Sequence, residues 1–191
     1  MEWETLAHTV PVVRPRRKAW RRVGAGLAGA ALLLSAMPAV AASLSAQELE
    51  TIGRTLAFMQ PPPAGGSVAV VYSAADPASR QDARAIVAEI GPGLDMRGTR
   101  LPARMVEAGM LAGGGYAVAV AAAGANGPVL GAAVRAAHIL CVTAELPAVQ
   151  AGFCTMAIST DLRVQIVLNH AAAAASGINF VAAFRMMIHE I

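Results

Sequence analysis

Lysine is almost absent from this sequence of 191 residues, in which Lys18 is the single example. Any part of the chain beyond that position therefore lacks the amine of a Schiff-base enzyme and the lysine of a phosphate-binding loop. The motifs G-x-x-x-x-G-K, G-x-S-x-G and H-E-x-x-H, which would indicate nucleotide binding, serine hydrolysis and zinc binding, are missing as well. We therefore expect a protein that is not an enzyme and that uses no cofactor.

Side chains that bind metals are few and widely spaced. His138, His170 and His189 lie too far apart in the sequence for a zinc motif, and Cys141 near His138 lacks the further ligands that such a site needs. We interpret these histidines as structural, with His138 at the start of a strand and His170 at the start of a helix. No metal site is expected.

Most of the positive charge lies near the amino terminus. Residues 14–22 hold six of the fifteen Lys and Arg, whereas residues 42–191 hold nine Arg against ten Asp and Glu. The folded part is therefore not expected to carry the basic patch that binds nucleic acid. Three arginines close together in the sequence remain a candidate for binding an anion at a strand end: Arg97, Arg100 and Arg104.

The first forty-one residues are predicted to be a cleaved signal peptide. The basic cluster at residues 14–22 is followed by the apolar run Leu27–Met37. This run is shorter than the roughly 20 residues of a membrane-spanning helix and suits an export signal. Small residues place the cleavage between Ala41 and Ala42, so residues 42–191 would form the mature domain in the periplasm. Both the general and the twin-arginine export routes remain open.

Strand and helix patterns alternate along the predicted mature domain. Apolar runs at Val68–Tyr72, Tyr116–Ala122 and His138–Thr143 predict buried strands, and Leu101–Val106 is a weaker candidate. Because parallel neighbours need crossover connections of about a dozen residues, this spacing predicts a mostly parallel sheet with helices on both faces. The predicted fold is a single α/β domain.

Several helix ends are marked in the sequence. A helix over Gln47–Met59 carries apolar residues at helical spacing and stops at the prolines that follow. Asp76 is predicted to cap a second helix, which begins at Pro77 and ends at Gly91. Its apolar stripe is expected to face the sheet, and charged residues such as Asp82 are assigned to positions off the stripe.

The last third of the sequence has a different pattern. Phe153–Ser159 and Leu162–Leu168 are strand-like runs close enough to form an antiparallel hairpin, with the second strand at the sheet edge. Asn169 is predicted to cap a short alanine-rich helix. Asn179 is predicted to cap a final amphipathic helix that reaches Ile191 and docks on the sheet.

Two cysteines, Cys141 and Cys154, lie in consecutive predicted strands. Export would bring them into an oxidising compartment, which favours a disulfide between them. Two separate buried thiols, packed as small apolar side chains, remain the alternative.

From Val68 onward the sequence resembles the YfiR family of small periplasmic proteins. The resemblance is carried by His138–Thr143, Val164–Asn169, Ala172–Ala175, Gly177–Phe180 and Phe184–Ile188. It implies a non-enzymatic regulator that binds the periplasmic part of an inner-membrane diguanylate cyclase and represses cyclic-di-GMP signalling. The partner surface would lie on the exposed sides of the last helix and of the Gln47–Met59 helix, and a homodimer remains open.

A second function class is a periplasmic small-solute-binding domain associated with a transporter. In a doubly wound sheet the ligand would lie beyond the carboxyl ends of the strands. Tyr72 and Ser73, or the turn after Ala122, would then line the pocket.

Overall fold

The computed structural model describes residues 43–161 and 163–191 of the chain. The predicted signal peptide and its cleavage site between Ala41 and Ala42 lie outside these residues. Within them, no helix is both long enough and apolar enough to cross a membrane.

Nine strands and six α-helices follow one another along the described residues. The strands are β1 (Ser67–Tyr72), β2 (Leu94–Met96), β3 (Thr99–Leu101), β4 (Ala103–Glu107), β5 (Tyr116–Ala121), β6 (Leu140–Thr143), β7 (Met156–Ser159), β8 (Gln165–Leu168) and β9 (His189–Glu190). The helices are α1 (Ala46–Leu56), α2 (Pro77–Ile90), α3 (Pro128–Ala137), α4 (Leu146–Gln150), α5 (His170–Ala175) and α6 (Ala182–Arg185), with a 3-10 helix at Ala108–Gly113.

Seven of these strands form one sheet, in the order β4-β1-β5-β6-β7-β8-β9. The first five strands in this order run parallel, whereas β7 and β8 form an antiparallel pair. The remaining strands, β2 and β3, make a separate antiparallel hairpin. The prediction of a single α/β domain with a mostly parallel sheet and a C-terminal antiparallel pair is confirmed.

Alternation along the central strands divides the core into two layers. In β1, Val68 and Val70 face one layer, while Ala69 and Val71 face the other. The first layer is covered by the apolar sides of α1 and α2, and the second by α3, α4 and the 3-10 helix. Since every residue of β6 is buried, both faces of the sheet are covered there.

Helix α1 approaches the β2–β3 hairpin more closely than a side chain would allow. A Cβ atom on Gly53 would lie 2.1 Å from the carbonyl oxygen of Asp95. The missing side chain therefore lets the helix backbone rest on β2. Ser45 begins this helix with a capping box, in which its hydroxyl and the carboxylate of Glu48 each bind the other residue's backbone amide.

The second layer contains the disulfide. Cys141 on β6 is bonded to Cys154, which lies just before β7, and both residues are buried. The bond closes a loop with a sequence separation of 13 that contains α4. The favoured alternative, a disulfide rather than two free thiols, is confirmed.

The region predicted as one weak strand at Leu101–Val106 is divided in two. β3 ends at Leu101, and β4 begins at Ala103 after Pro102, which has no amide hydrogen to donate to a neighbouring strand. The β2–β3 hairpin turns at Arg97 and Gly98, which both adopt positive φ angles. This hairpin was not predicted from the sequence.

His138 is not part of a strand, as had been predicted. It ends α3 in the left-handed conformation, with φ of 53°, and β6 begins two residues later at Leu140. A left-handed residue is a common way for a helix to stop, although glycine or asparagine usually fills the position.

The predicted C-terminal helix is much shorter than expected. The backbone amide of Gln60 donates to the carbonyl of Asn179, and the amide of Val181 donates to that of Phe58. Because residues 179–181 bind this neighbouring segment, the helix starts only at Ala182 and ends at Arg185. The chain then forms β9, which pairs in parallel with β8, so the prediction that β8 is the edge strand is wrong.

The disulfide gives a direct test of this fold. Replacing Cys141 and Cys154 together with alanine should lower the free energy of unfolding by about 3 kcal/mol, since the unfolded chain loses a closed loop. Urea unfolding of the oxidised protein, followed by circular dichroism, measures the difference. Wild-type protein reduced by excess dithiothreitol should unfold at the same urea concentration as the variant. Equal midpoints for the oxidised wild type and the variant would contradict a stabilising bond.

Candidate binding surfaces

A cleft lies beyond the edge of the sheet where the parallel strands end. It has a volume of about 360 Å³ and is lined by the loops after β1, β4 and β5 and by the start of α3. In the sheet, β1 and β5 are neighbours. The chain leads from β1 to β4 on one side of this pair and from β5 to β6 on the other side. Loops diverge at such a point, which is where α/β sheets usually bind their ligands.

The cleft contains two of the residue groups predicted for a solute site. Ser73 lines it, as do residues 124–127 of the turn after Ala122 and the first residues of α3. Tyr72 is not part of the lining, and the guanidinium of Arg80 lies 5.1 Å from the centroid of its ring.

The cleft wall combines apolar surface with a few polar groups. The side-chain amide of Asn126 donates to the hydroxyl of Thr143 at 3.0 Å, and its buried Oδ1 accepts no hydrogen bond from the described residues. Glu107 is also one of the lining residues. Val129, which also lines the cleft, is 62% exposed, and Met110, beside the lining residue Gly109, is 71% exposed. This composition suits a small, partly apolar ligand.

A buried carboxylate holds the turn next to the cleft. Asp82 on α2 is only 5% exposed. It accepts hydrogen bonds from the backbone amide of Ala123 at 2.7 Å, and from the backbone amide and hydroxyl of Ser43 at 2.7 and 2.6 Å. The neighbouring amide of Gly124 donates to the carboxylate of Glu145 at 3.1 Å. Two carboxylates thus fix the turn that follows β5.

The predicted position of Asp82, off the buried stripe of α2, is wrong. It lies three residues after Ser79 and four before Ile86, and both of these residues are buried. Helical spacing therefore puts Asp82 on the inner face, and this spacing is the signal that could have identified it. Treating charge as evidence of exposure caused the error.

The C-terminal segment is held in place by aromatic side chains. Phe184 is buried and stacks on Phe58, with ring centroids 5.2 Å apart, and contacts Phe180 at 5.0 Å. Phe180 also forms an isolated β-bridge with Met59. The end of α1 and the C-terminal segment, the two elements predicted to carry a partner surface, therefore meet in one aromatic cluster.

Two methionines after α6 are directed into solvent. Met186 is 82% exposed and Met187 is 70% exposed, and we call this pair the methionine turn. Ile191, which follows β9, is 44% exposed. Exposed apolar side chains grouped on a well-anchored segment are typical of surfaces that bind other proteins, and methionine adapts readily to different partners.

A salt bridge closes the loop that carries the methionine turn. Arg185 donates from Nε and Nη2 to the two carboxylate oxygens of Glu190, at 2.6 and 2.8 Å. The hydrogen bond from Arg185 lowers the pKa of Glu190 below its ordinary value. The outward side of α1, in contrast, is polar and carries an ion pair between Glu50 and Arg54.

The other residues singled out in the sequence lie on separate elements. Arg97 lies in the β2–β3 turn with its guanidinium 5.8 Å from the ring centroid of Phe58, whereas Arg100 and Arg104 belong to β3 and β4. Of the histidines interpreted as structural, His138 caps the end of α3, His170 begins α5 and His189 belongs to β9. Among residues 43–161 and 163–191, no group of three or more His, Cys, Asp or Glu side chains could hold a metal ion.

The Arg185–Glu190 pair predicts how the methionine turn responds to acid. Because the folded state lowers the pKa of Glu190, the stabilisation from this pair is present above the ordinary value of 4.5 and is lost as pH falls through the lowered value. Replacing Glu190 with glutamine should remove this effect at neutral pH. Amide hydrogen exchange at residues 186–191 should become faster in the variant, whereas exchange in β5 should not change. Equal rates would contradict a role for the pair in holding the turn.

Comparison with known proteins assigns no family to this chain. No protein-family model matches the sequence, and no curated protein matches it. The chain is structurally similar to a conserved domain protein from Vibrio cholerae O1 biovar El Tor str. N16961, known from a crystal structure, with 13% sequence identity and a TM-score of 0.47. The match covers 76% of this chain and 59% of the Vibrio chain, so this protein spans less than two thirds of that chain.

Proposed function

We propose that this chain is an exported, non-enzymatic regulator of the YfiR-like kind. It binds the periplasmic part of an inner-membrane diguanylate cyclase and represses cyclic-di-GMP signalling. Docking takes place through the methionine turn, Met186 and Met187. The observation that carries this proposal is the exposure of these two large apolar side chains, at 82% and 70%, on an anchored segment.

The anchoring is what makes the methionine turn suitable for a partner. Phe184 on its amino-terminal side is buried in the aromatic cluster, and β9 on its carboxyl-terminal side is hydrogen bonded to β8. The bidentate pair between Arg185 and Glu190 spans the turn from one side to the other. A surface held in advance loses little conformational entropy when it binds, so more of the contact energy contributes to affinity.

The disulfide also supports an exported protein. Bonds such as Cys141–Cys154 form and persist in oxidising compartments, and the periplasm is one of them. Together with the predicted signal peptide, the bond favours a place of action outside the cytoplasm.

The regulatory proposal can be tested in cells. The full chain is coexpressed with an inner-membrane diguanylate cyclase from the same genome that has a periplasmic sensing part, and cyclic-di-GMP is quantified by mass spectrometry. Wild-type protein should lower cyclic-di-GMP. The double variant M186Q/M187Q should bind the cyclase about 10-fold or more weakly and fail to repress it, since it loses two apolar contacts.

Met110→Gln is a matched control. Met110 is 71% exposed, which is close to the exposure of Met187, but it lies in the 3-10 helix beside the cleft. Repression by the M110Q protein should equal that of the wild type. Equal repression by the M186Q/M187Q protein would refute the methionine turn as the docking surface. No effect of exported wild-type protein on any such cyclase would refute the regulator itself.

The cleft favours a second candidate function, the capture of a small solute for a transporter. Its volume of about 360 Å³ and its position beyond β1, β4 and β5 are the observations behind this alternative. Ser73, Asn126 and Glu107 would provide the polar contacts.

A thermal-shift screen of periplasmic solutes tests this alternative. Binding of one solute class at 100 times its dissociation constant should stabilise the protein by about 2.7 kcal/mol and raise the melting temperature reproducibly. Replacing Gly127 with leucine should partly fill the cleft and abolish the shift, because nothing lies within 4 Å of a Cβ atom at this position. The absence of a shift with every class of solute would contradict solute capture.

A further inference from the structure

The strongest unexplained feature of the described residues is a buried carboxylate without a cationic partner. Asp82 is 5% exposed, yet the ion pairs among the described residues join Arg54 to Glu50 and Arg185 to Glu190 and do not include it. Removing a carboxylate from water is costly, and buried charges in proteins are usually paired with an opposite charge or bind a metal ion. The environment of Asp82 is therefore suited to a cation.

Two of the hydrogen bonds to this carboxylate come from Ser43. Its backbone nitrogen donates to Oδ1 at 2.7 Å and its hydroxyl donates to Oδ2 at 2.6 Å. For a cut between Ala42 and Ser43, Ala42 is the last residue of the leader and Val40 is the third residue before the cut. Small uncharged side chains therefore occupy the two positions that a signal peptidase recognises.

We propose that the signal peptidase cuts between Ala42 and Ser43, and that the new amino terminus of Ser43 forms a salt bridge with Asp82. This inference rests on the proposed export and moves the cleavage one residue beyond the Ala41–Ala42 bond expected from the sequence. Hydrolysis adds one water molecule across the Ala42–Ser43 peptide bond. It leaves a carboxylate on Ala42 and an amino group on Ser43, which takes up a proton.

Cleavage at this bond adds a positive charge to an existing hydrogen bond. The nitrogen that donates to Asp82 as an amide becomes an ammonium at the same place, so the carboxylate gains an opposite charge within hydrogen-bond distance. Asp82 also binds the amide of Ala123, so the processed terminus is tied through a single carboxylate to the turn after β5. Removal of the leader thereby stabilises the edge of the sheet that carries the cleft.

The lysine content of the chain makes this terminus easy to observe. Because Lys18 is the single lysine, a chain that starts at Ser43 has its α-amino group as the sole primary amine. Acetylation by trace acetic anhydride at a series of pH values, followed by mass spectrometry, therefore reports the pKa of that amine alone.

The full chain is expressed with export, and the periplasmic product is purified for both measurements. Its intact mass should correspond to Ser43–Ile191 with the disulfide formed. An ordinary α-amino group has a pKa of about 7.7 to 8.0, and the pairing with Asp82 should raise it by roughly one unit or more. Unfolding the wild-type protein in guanidinium should return the pKa to the ordinary range.

Variants distinguish the effect of Asp82 on the amine pKa from the effects of other acidic residues near this terminus. Glu48 on α1 binds Ser45 and the amide of Thr160, and Glu145 before α4 binds Gly124, so both can contribute to the local potential. Asp82→Asn should remove most of the pKa elevation, whereas the control Glu145→Gln should keep most of it. If the Asp82→Asn protein does not fold, the difference in amine pKa between native and unfolded wild-type protein still tests the inference.

The outcomes distinguish this inference from the proposal of export. An exported product that begins at Ala42, or a native wild-type amine with an ordinary pKa, would overturn the inference and leave the regulatory proposal intact. Protein that retains Met1 in the cytosol would instead refute export. A Ser43 terminus with an elevated pKa that depends on Asp82 would support the inference.

Discussion

A mostly parallel sheet must be covered on both faces, and the rest of this structure depends on that constraint. Crossover connections place helices on the two sides, so the central strands contribute side chains to both core layers. β5 satisfies this requirement by alternation, since Val118 and Val120 face the layer of α1 and α2 while Ala119 and Ala121 face the other. The small alanines leave room for α3 and the 3-10 helix to lie close to the sheet. The disulfide reinforces the side with the smaller residues.

Local signals were sufficient to predict most of this architecture from the sequence. Asp76, Pro77 and Gly91 mark the two ends of α2 because capping and termination at a residue with positive φ depend on residues close in the sequence. The buried strands were visible as short apolar runs between turns. The antiparallel pair of β7 and β8 followed from the short separation of its strands.

The errors arose where distant segments compete with local preference. A helical stripe is present in residues 180–191, but hydrogen bonds from Gln60 and Val181 to their neighbours keep the start of this segment extended. Asp82 was misplaced because its charge was taken as a sign of exposure, and the groups that compensate its burial, Ser43 and Ala123, are about 40 residues away in either direction. Similarly, the sequence predicted that ligands would lie near Ser73 and the turn after Ala122, but it could not show which side chains would meet across the cleft. Such contacts are products of the fold and leave no periodic pattern.

The two ends of the sheet limit how molecules of this protein can associate with each other. An unpaired strand offers its free amide and carbonyl groups to any neighbour, and long flat edges start the growth of fibres. Here one outermost strand, β9, is two residues long. The other, β4, is preceded by Pro102 and carries Arg104. The charge of Arg104 would be placed in the contact if two such strands paired. Both margins are therefore poor templates for edge-to-edge growth.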